Sequence, residues 1–227
     1  MTKPQIVFLP GLDGNGFYLS ALQGLLRDYA DCVIMQYPCE IMDYNELCRW
    51  VLTQLDDKSG YIIIAESFGG PLGLKLAYAL QARAKALILS STFAKPPLPR
   101  LILKIAAAVY PHIIHYDFAV AIVNFFLCNG RNAPLARQLH KVMLETGDMV
   151  MANRIRILAD LDATDTVRQL TLPCLILQPR CDTLIWFSNF TALRNKSVIR
   201  IAGPHGLMAT EPQAAYDAIS DFIKHLN

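Results

Sequence analysis

Charge is what this sequence has least of. Asp, Glu, Lys and Arg make up only 18% of it and nearly cancel, leaving a formal charge of +2 beside five scattered histidines. Polyanion binding needs clustered cations, so there is no footprint for nucleic acid. Long apolar runs are missing too: although 53% of the residues are hydrophobic, no stretch reaches the ~18 that a transmembrane segment needs. The opening Met1-Thr2-Lys3-Pro4 runs into Gln5-Ile6-Val7-Phe8-Leu9, and Pro10-Gly11 breaks that run before it is long enough for an export signal. The six cysteines (Cys32, Cys39, Cys48, Cys128, Cys174 and Cys181) contain no CxxC pair. With no export signal beside them they read as reduced thiols, and the cytoplasm is the expected address. No two histidines stand at HxxxH spacing, and Gly11, Gly14 and Gly16 are wrongly spaced for a Walker or dinucleotide loop. The sequence calls for no metal and no cofactor.

What remains is an apolar chain of 227 residues, enough for one domain with a sizeable buried core and too hydrophobic for extended disorder. Short β-branched runs alternate with amphipathic ones. Strands are expected at Gln5–Leu9, Cys32–Tyr37, Tyr61–Ala65 and Ala86–Ser90. Helices are expected between them, at Leu19–Tyr29, Asp43–Leu55 and Phe68–Gln81. This alternation predicts an α/β fold, a mostly parallel sheet covered on both faces by helices.

Beyond Thr92 the strand-like runs stop. Helical patterns follow at Leu101–Tyr110, Phe118–Cys128, Pro134–Leu144 and Asp148–Leu161, entered through Lys95-Pro-Pro-Leu-Pro-Arg100. Alternation resumes with strands at Pro173–Leu177 and Ser197–Ile201 and a closing helix at Gln213–His225. The expected organisation is a core of residues 1–92 and 171–227 interrupted by a helical cap at 93–170.

One segment carries chemistry: Ile62-Ile63-Ile64-Ala65-Glu66-Ser67-Phe68-Gly69-Gly70. A buried strand runs into a serine and a helix starts at once. A tight strand-to-helix turn pushes the serine out of the sheet and exposes its Oγ, and the crowding demands small residues two before and two after it. Ala65 and Gly69 meet that demand. The plainer reading is that Ser67 caps the helix. Two further segments tell against it. Phe8-Leu9-Pro10-Gly11-Leu12-Asp13-Gly14 follows the first strand. Asp182 and His205 follow the last two strands, the histidine within Gly203-Pro204-His205-Gly206. In open parallel sheets functional groups gather at these strand ends.

In these motifs the chain resembles the α/β-hydrolase superfamily, small capped serine esterases and thioesterases in particular. The family's nucleophile motif is Gly-x-Ser-x-Gly. Ala65 departs from its first position, as in some lipases of the family. The resemblance implies Ser67 as nucleophile, His205 as base and Asp182 as the acid that orients it. It implies an oxyanion hole built from the backbone N–H groups of Leu12 and Phe68. Asp160, Asp162 and Asp165 are the fallback acids; Glu66 and Asp13 flank the site, with structural roles expected. His112, His115 and His140 fall in the expected cap and His225 at the terminus.

The implied activity is cleavage of carboxylic esters through an acyl-enzyme. The same three residues would serve a thioesterase or an acyltransferase, and a non-catalytic ligand-binding relative is the remaining alternative. The expected partner is a small-molecule ester or thioester. The apolar segments Leu101–Val109 and Phe118–Leu127 either pack on the core or form an apolar acyl pocket, or a lid face in transient contact with a membrane surface.

Overall fold

In a computed structural model, residues 4–41, 43–56, 59–185 and 189–226 are described; Met1–Lys3 of the export-signal reading lie outside them. The chain runs β1 (Gln5–Leu9), α1 (Ser20–Leu26), β2 (Cys32–Ile34), α2 (Tyr44–Thr53), β3 (Tyr61–Glu66), α3 (Gly69–Leu80) and β4 (Ala84–Ser90). Helices α4 (Arg100–Ile113), α5 (Phe118–Cys128), α6 (Ala133–Thr146), α7 (Asp148–Leu158) and α8 (Thr164–Gln169) follow without a strand among them. The chain closes with β5 (Cys174–Pro179), β6 (Lys196–Ile201), α9 (Leu207–Thr210) and α10 (Pro212–Lys224).

The strands form one parallel sheet in the order β2-β1-β3-β4-β5-β6. Every residue of β3 is buried, because the sheet is covered on both sides. Ile62 and Ile64 pack with Ile6 and Phe8 against Leu22, Leu26 and Ile219, from α1 and α10. Ile63 and Ala65 pack with Val7 and Leu9 against Val51 and Leu72, from α2 and α3. This explains why β3 reads as a continuous apolar run rather than an alternating one.

The order of the strands fixes where a site can form. From β1 the chain moves outward to β2, then returns to the other side of β1 as β3. The direction therefore reverses between β1 and β3, and a crevice opens beyond their carboxyl ends. Register aligns those ends: Leu9 lies beside Ala65, and Glu66 beside Ser90.

The structure corrects several expected boundaries. The second strand stops at Ile34 instead of Tyr37, because β1 ends at Leu9 and leaves little to pair with. The Tyr37 N–H turns instead to the Gly14 carbonyl at 2.9 Å. Helix α1 ends three residues before Tyr29, and α7 three before Leu161. The short helices α8 and α9 were not expected at all; six and four residues are too few to display a helical period. All six cysteines are free. Among the described residues no helix is long and apolar enough to cross a membrane.

Because the Ile63 side chain is completely buried between β3's neighbours and α3, Ile63→Ala is expected to cost about 2–5 kcal/mol of stability. Equilibrium urea denaturation measures this; a loss below about 1 kcal/mol would contradict the described packing.

Candidate active site

Only Ser67 and Phe68 separate β3 from α3. To turn that sharply, Ser67 adopts φ +50°, a left-handed conformation that costs a non-glycine residue about 1–3 kcal/mol. Its backbone is held from several sides. The Ser67 N–H donates to the Ser90 carbonyl at 3.0 Å, and the Ser67 carbonyl accepts from the Gly70 N–H at 3.0 Å and from the Thr92 hydroxyl at 2.5 Å. Glycine at 69 is obligatory for space: a Cβ there would press on the Leu9 carbonyl and lie 2.6 Å from that of Pro10. These are main-chain atoms that cannot yield.

His205 lies between β6 and α9, and Asp182 lies just past β5. The structure brings both to Ser67. His205 Nε2 is 2.8 Å from Ser67 Oγ, and its Nδ1 is 3.0 and 3.1 Å from the two Asp182 oxygens. A proton on Nδ1 donates to the carboxylate, leaving Nε2 to accept from the serine hydroxyl. Asp182 Oδ1 also accepts from the Leu184 and Ile185 N–H groups, each at 2.9 Å. Burial pushes the Asp182 carboxyl upward. The bond to His205, its charge and those two amides outweigh burial and hold it below the usual carboxylate range. His205 is 5% exposed, so the imidazole is enclosed and fixed.

The other titratable candidates lie elsewhere. Asp160 pairs with Arg100, Asp165 with Arg168, and the Asp162 carboxylate caps the Thr164 N–H. His115 meets Asp148 at 2.6 Å, His140 meets the Ile114 carbonyl, and His225 bonds within α10's last turn.

The loop after β1 approaches from the far side of the crevice. Asp13 closes it by accepting from the Asn15 and Gly16 N–H groups, and Gly14 and Gly16 take φ near +70°. Among the described residues the Leu12 and Phe68 N–H groups meet no protein acceptor. Leu12, Ser67, Phe68 and His205 line one cavity of about 370 Å³. Its remaining wall is almost wholly apolar, built by Leu103 and Ile113 from α4, Ile122 and Phe126 from α5, and Met143 from α6. Helices α4 and α5 carry apolar side chains on their outer faces as well, leaving Ile102, Ile105, Phe118 and Phe125 exposed.

Comparison with known proteins accords with this architecture. No family model matches the chain. Over 153 residues, 63% of the chain, it is 25% identical to a pimeloyl-acyl-carrier-protein methyl ester esterase of Aliivibrio fischeri, a match that spans 59% of that protein's length. A hydrolase from Pseudomonas aeruginosa superposes with a TM-score of 0.85 at 17% identity, covering 97% of this chain and 90% of the other. The enol-lactonase from Burkholderia xenovorans superposes with a TM-score of 0.84 at 14% identity, covering 99% and 93%. The chain has the α/β-hydrolase fold.

Beneath the serine lies one of the two acids expected to flank the site. Glu66 precedes Ser67 and is 3% exposed. Its carboxyl receives the Tyr18 hydroxyl and, at 3.4 Å, the Met208 N–H; the same Tyr18 oxygen accepts from the Gly11 N–H at 2.7 Å. Burial pushes the Glu66 carboxyl from 4.5 up to about 7. The folded protein therefore holds a proton there that the unfolded chain releases near pH 4.5. The stability Glu66 contributes is complete below that pH and is lost as pH rises to 7. That rise corresponds to about 3 kcal/mol at most. Glu66→Gln is expected to remove this slope, so that urea denaturation at pH 5 and pH 8 gives a smaller difference than in the wild type. An unchanged difference would show that Glu66 is ionised throughout.

Proposed function

We propose that this protein is a serine hydrolase that cleaves carboxylic esters of apolar acyl groups, with Ser67 as nucleophile, His205 as general base and Asp182 as the group that orients the base. The observation that carries the reading is the unbroken chain of hydrogen bonds from Asp182 through His205 to Ser67 Oγ, opening onto an apolar cavity. A serine that merely capped α3 would have no use for a buried imidazole 2.8 Å from its hydroxyl.

Ser67 Oγ attacks the ester carbonyl while His205 Nε2 takes its proton. The carbonyl oxygen becomes an oxyanion, received by the N–H groups of Leu12 and Phe68. One such donor is worth about 2.7–4 kcal/mol of transition-state stabilisation. Asp182, held in its ionised form, stabilises the imidazolium. The tetrahedral intermediate collapses, the C–O bond to the alcohol breaks, and the imidazolium returns its proton to the leaving oxygen. Water, deprotonated by His205, then attacks the acyl-enzyme, releases the acid and restores Ser67. The helices of residues 93–170 act as a cap, and their inner faces receive the acyl chain. The relative from Aliivibrio fischeri, named as an esterase, supports the same class of reaction.

Hydrolysis of p-nitrophenyl esters from acetyl to palmitoyl tests this. Activity is expected with a preference for medium chains, and Ser67→Ala is expected to lower kcat by about 10³-fold or more. Turnover that survives Ser67→Ala undiminished would refute the nucleophile, and activity confined to thioesters would refute the ester substrate. Ile122 lines the cavity yet is partly exposed, so Ile122→Trp should fold and narrow the cavity. It is expected to reduce kcat/KM several-fold for long esters while sparing acetate. Equal effects at all chain lengths would exclude the cavity as the acyl site.

A further inference from the structure

Arg154, on α7, is the largest of the fully buried side chains, 2% exposed. A guanidinium is costly to remove from water unless its donors are met, and burial lowers its affinity for its proton. Among the described residues its hydrogen-bond partners are all main-chain oxygens. Nη1 donates to the Leu12 and Asp13 carbonyls at 3.0 and 2.7 Å. Nη2 reaches the Tyr37 and Pro38 carbonyls at 3.5 and 3.4 Å, and the guanidinium carbon lies 5.7 Å from the centre of the Tyr37 ring. The Asp13 carboxylate is occupied by amides of its own loop. A cation has thus been buried to hold carbonyls, and two of the four, those of Leu12 and Asp13, directly follow the N–H of Leu12 along the chain.

That N–H needs holding. Its loop contains glycines at φ near +70°, which leave the backbone free to rearrange. If the peptide before Leu12 turned over, it would present a carbonyl oxygen to the oxyanion in place of the N–H. Every carbonyl from Pro10 to Asp13 is, however, anchored. The Tyr37 hydroxyl donates to Pro10 at 3.1 Å and the Gly14 N–H to Gly11 at 3.1 Å. Arg154 takes Leu12 and Asp13, with the Thr146 hydroxyl also on Asp13 at 3.2 Å. Arg154 also walls in the turn itself, since a Cβ at Gly14 would lie 2.6 Å from Nη1.

We infer that Arg154 is a positioning residue that locks the loop after β1 with the Leu12 N–H turned towards the oxyanion, an inference resting on the reading of the site given above. It touches no substrate; it does not line the cavity. Its loss should therefore weaken the transition state and leave substrate binding largely alone.

The test compares wild type, Ser67→Ala, Arg154→Lys and Arg154→Met with the preferred p-nitrophenyl ester, counting active sites by fluorophosphonate titration. For Arg154→Met, kcat per titrated site is expected to fall about 10- to 100-fold, with KM within about threefold of wild type. Arg154→Lys keeps the charge and stem but loses the fork that spans both loops. It should fold, and its kcat should lie between the two. If the methionine variant does not fold, the lysine variant decides alone: lowered kcat at constant KM supports the inference. Wild-type kcat in a folded variant, even one of lowered Tm, overturns it and leaves the serine-hydrolase reading standing. A KM effect without a kcat effect overturns it as well. An inactive wild type, or an active Ser67→Ala, overturns the reading of the site and this inference with it.

Discussion

The Ser67 peptide is pinned on one side by the Ser90 carbonyl and on the other by the Thr92 hydroxyl and the Gly70 N–H. All these partners sit at the end of β4 or the start of α3, so the strained turn at Ser67 is stable only while β3, β4 and α3 keep their register. That register in turn rests on apolar burial on both faces of the sheet. Within it, Leu9 and Pro10 approach Gly69 so closely that no side chain fits between them. The same closeness brings the loop after β1 beside the serine. A strained turn in a parallel sheet is thus the local condition from which the remaining geometry follows.

Around that point, two buried carboxyls are held in different ways. Asp182 keeps its charge because a histidine and two amides face it. Glu66, one residue from the serine, has weaker support, and burial raises it to about 7. Two carboxyls within one site are thus driven apart in acidity by their surroundings, one towards ionisation and the other towards keeping its proton. The Glu66–Tyr18–Gly11 series joins the strand beneath the serine to the loop on the opposite side of the crevice, while Arg154 holds that loop from α7.

Sequence pattern revealed the parts of this arrangement that are local. The β-branched runs marked the central strands because two-sided burial excludes polar residues. The turn at Ser67 was legible because its steric requirements fall within five consecutive residues, Ala65 to Gly69. Asp182 and His205 could be named because each follows a strand directly. Arg154 could not, for it meets Leu12 across 142 positions. Tyr18 and Thr92 were missed for the same reason: an ordinary-looking hydroxyl takes its meaning from a distant partner. The apolar helices α4 and α5 were recognised as such. Only three dimensions separate the faces that line the cavity from those that leave Ile105 and Phe125 exposed.

The central claim is that Ser67 is a nucleophile activated by His205. It is tested most directly by treating the protein with an alkyl fluorophosphonate and locating the adduct by peptide mass spectrometry. The account predicts stoichiometric modification of Ser67, slowed by several orders of magnitude in His205→Asn. A folded protein that stays unmodified, or one modified at a different serine, would contradict it.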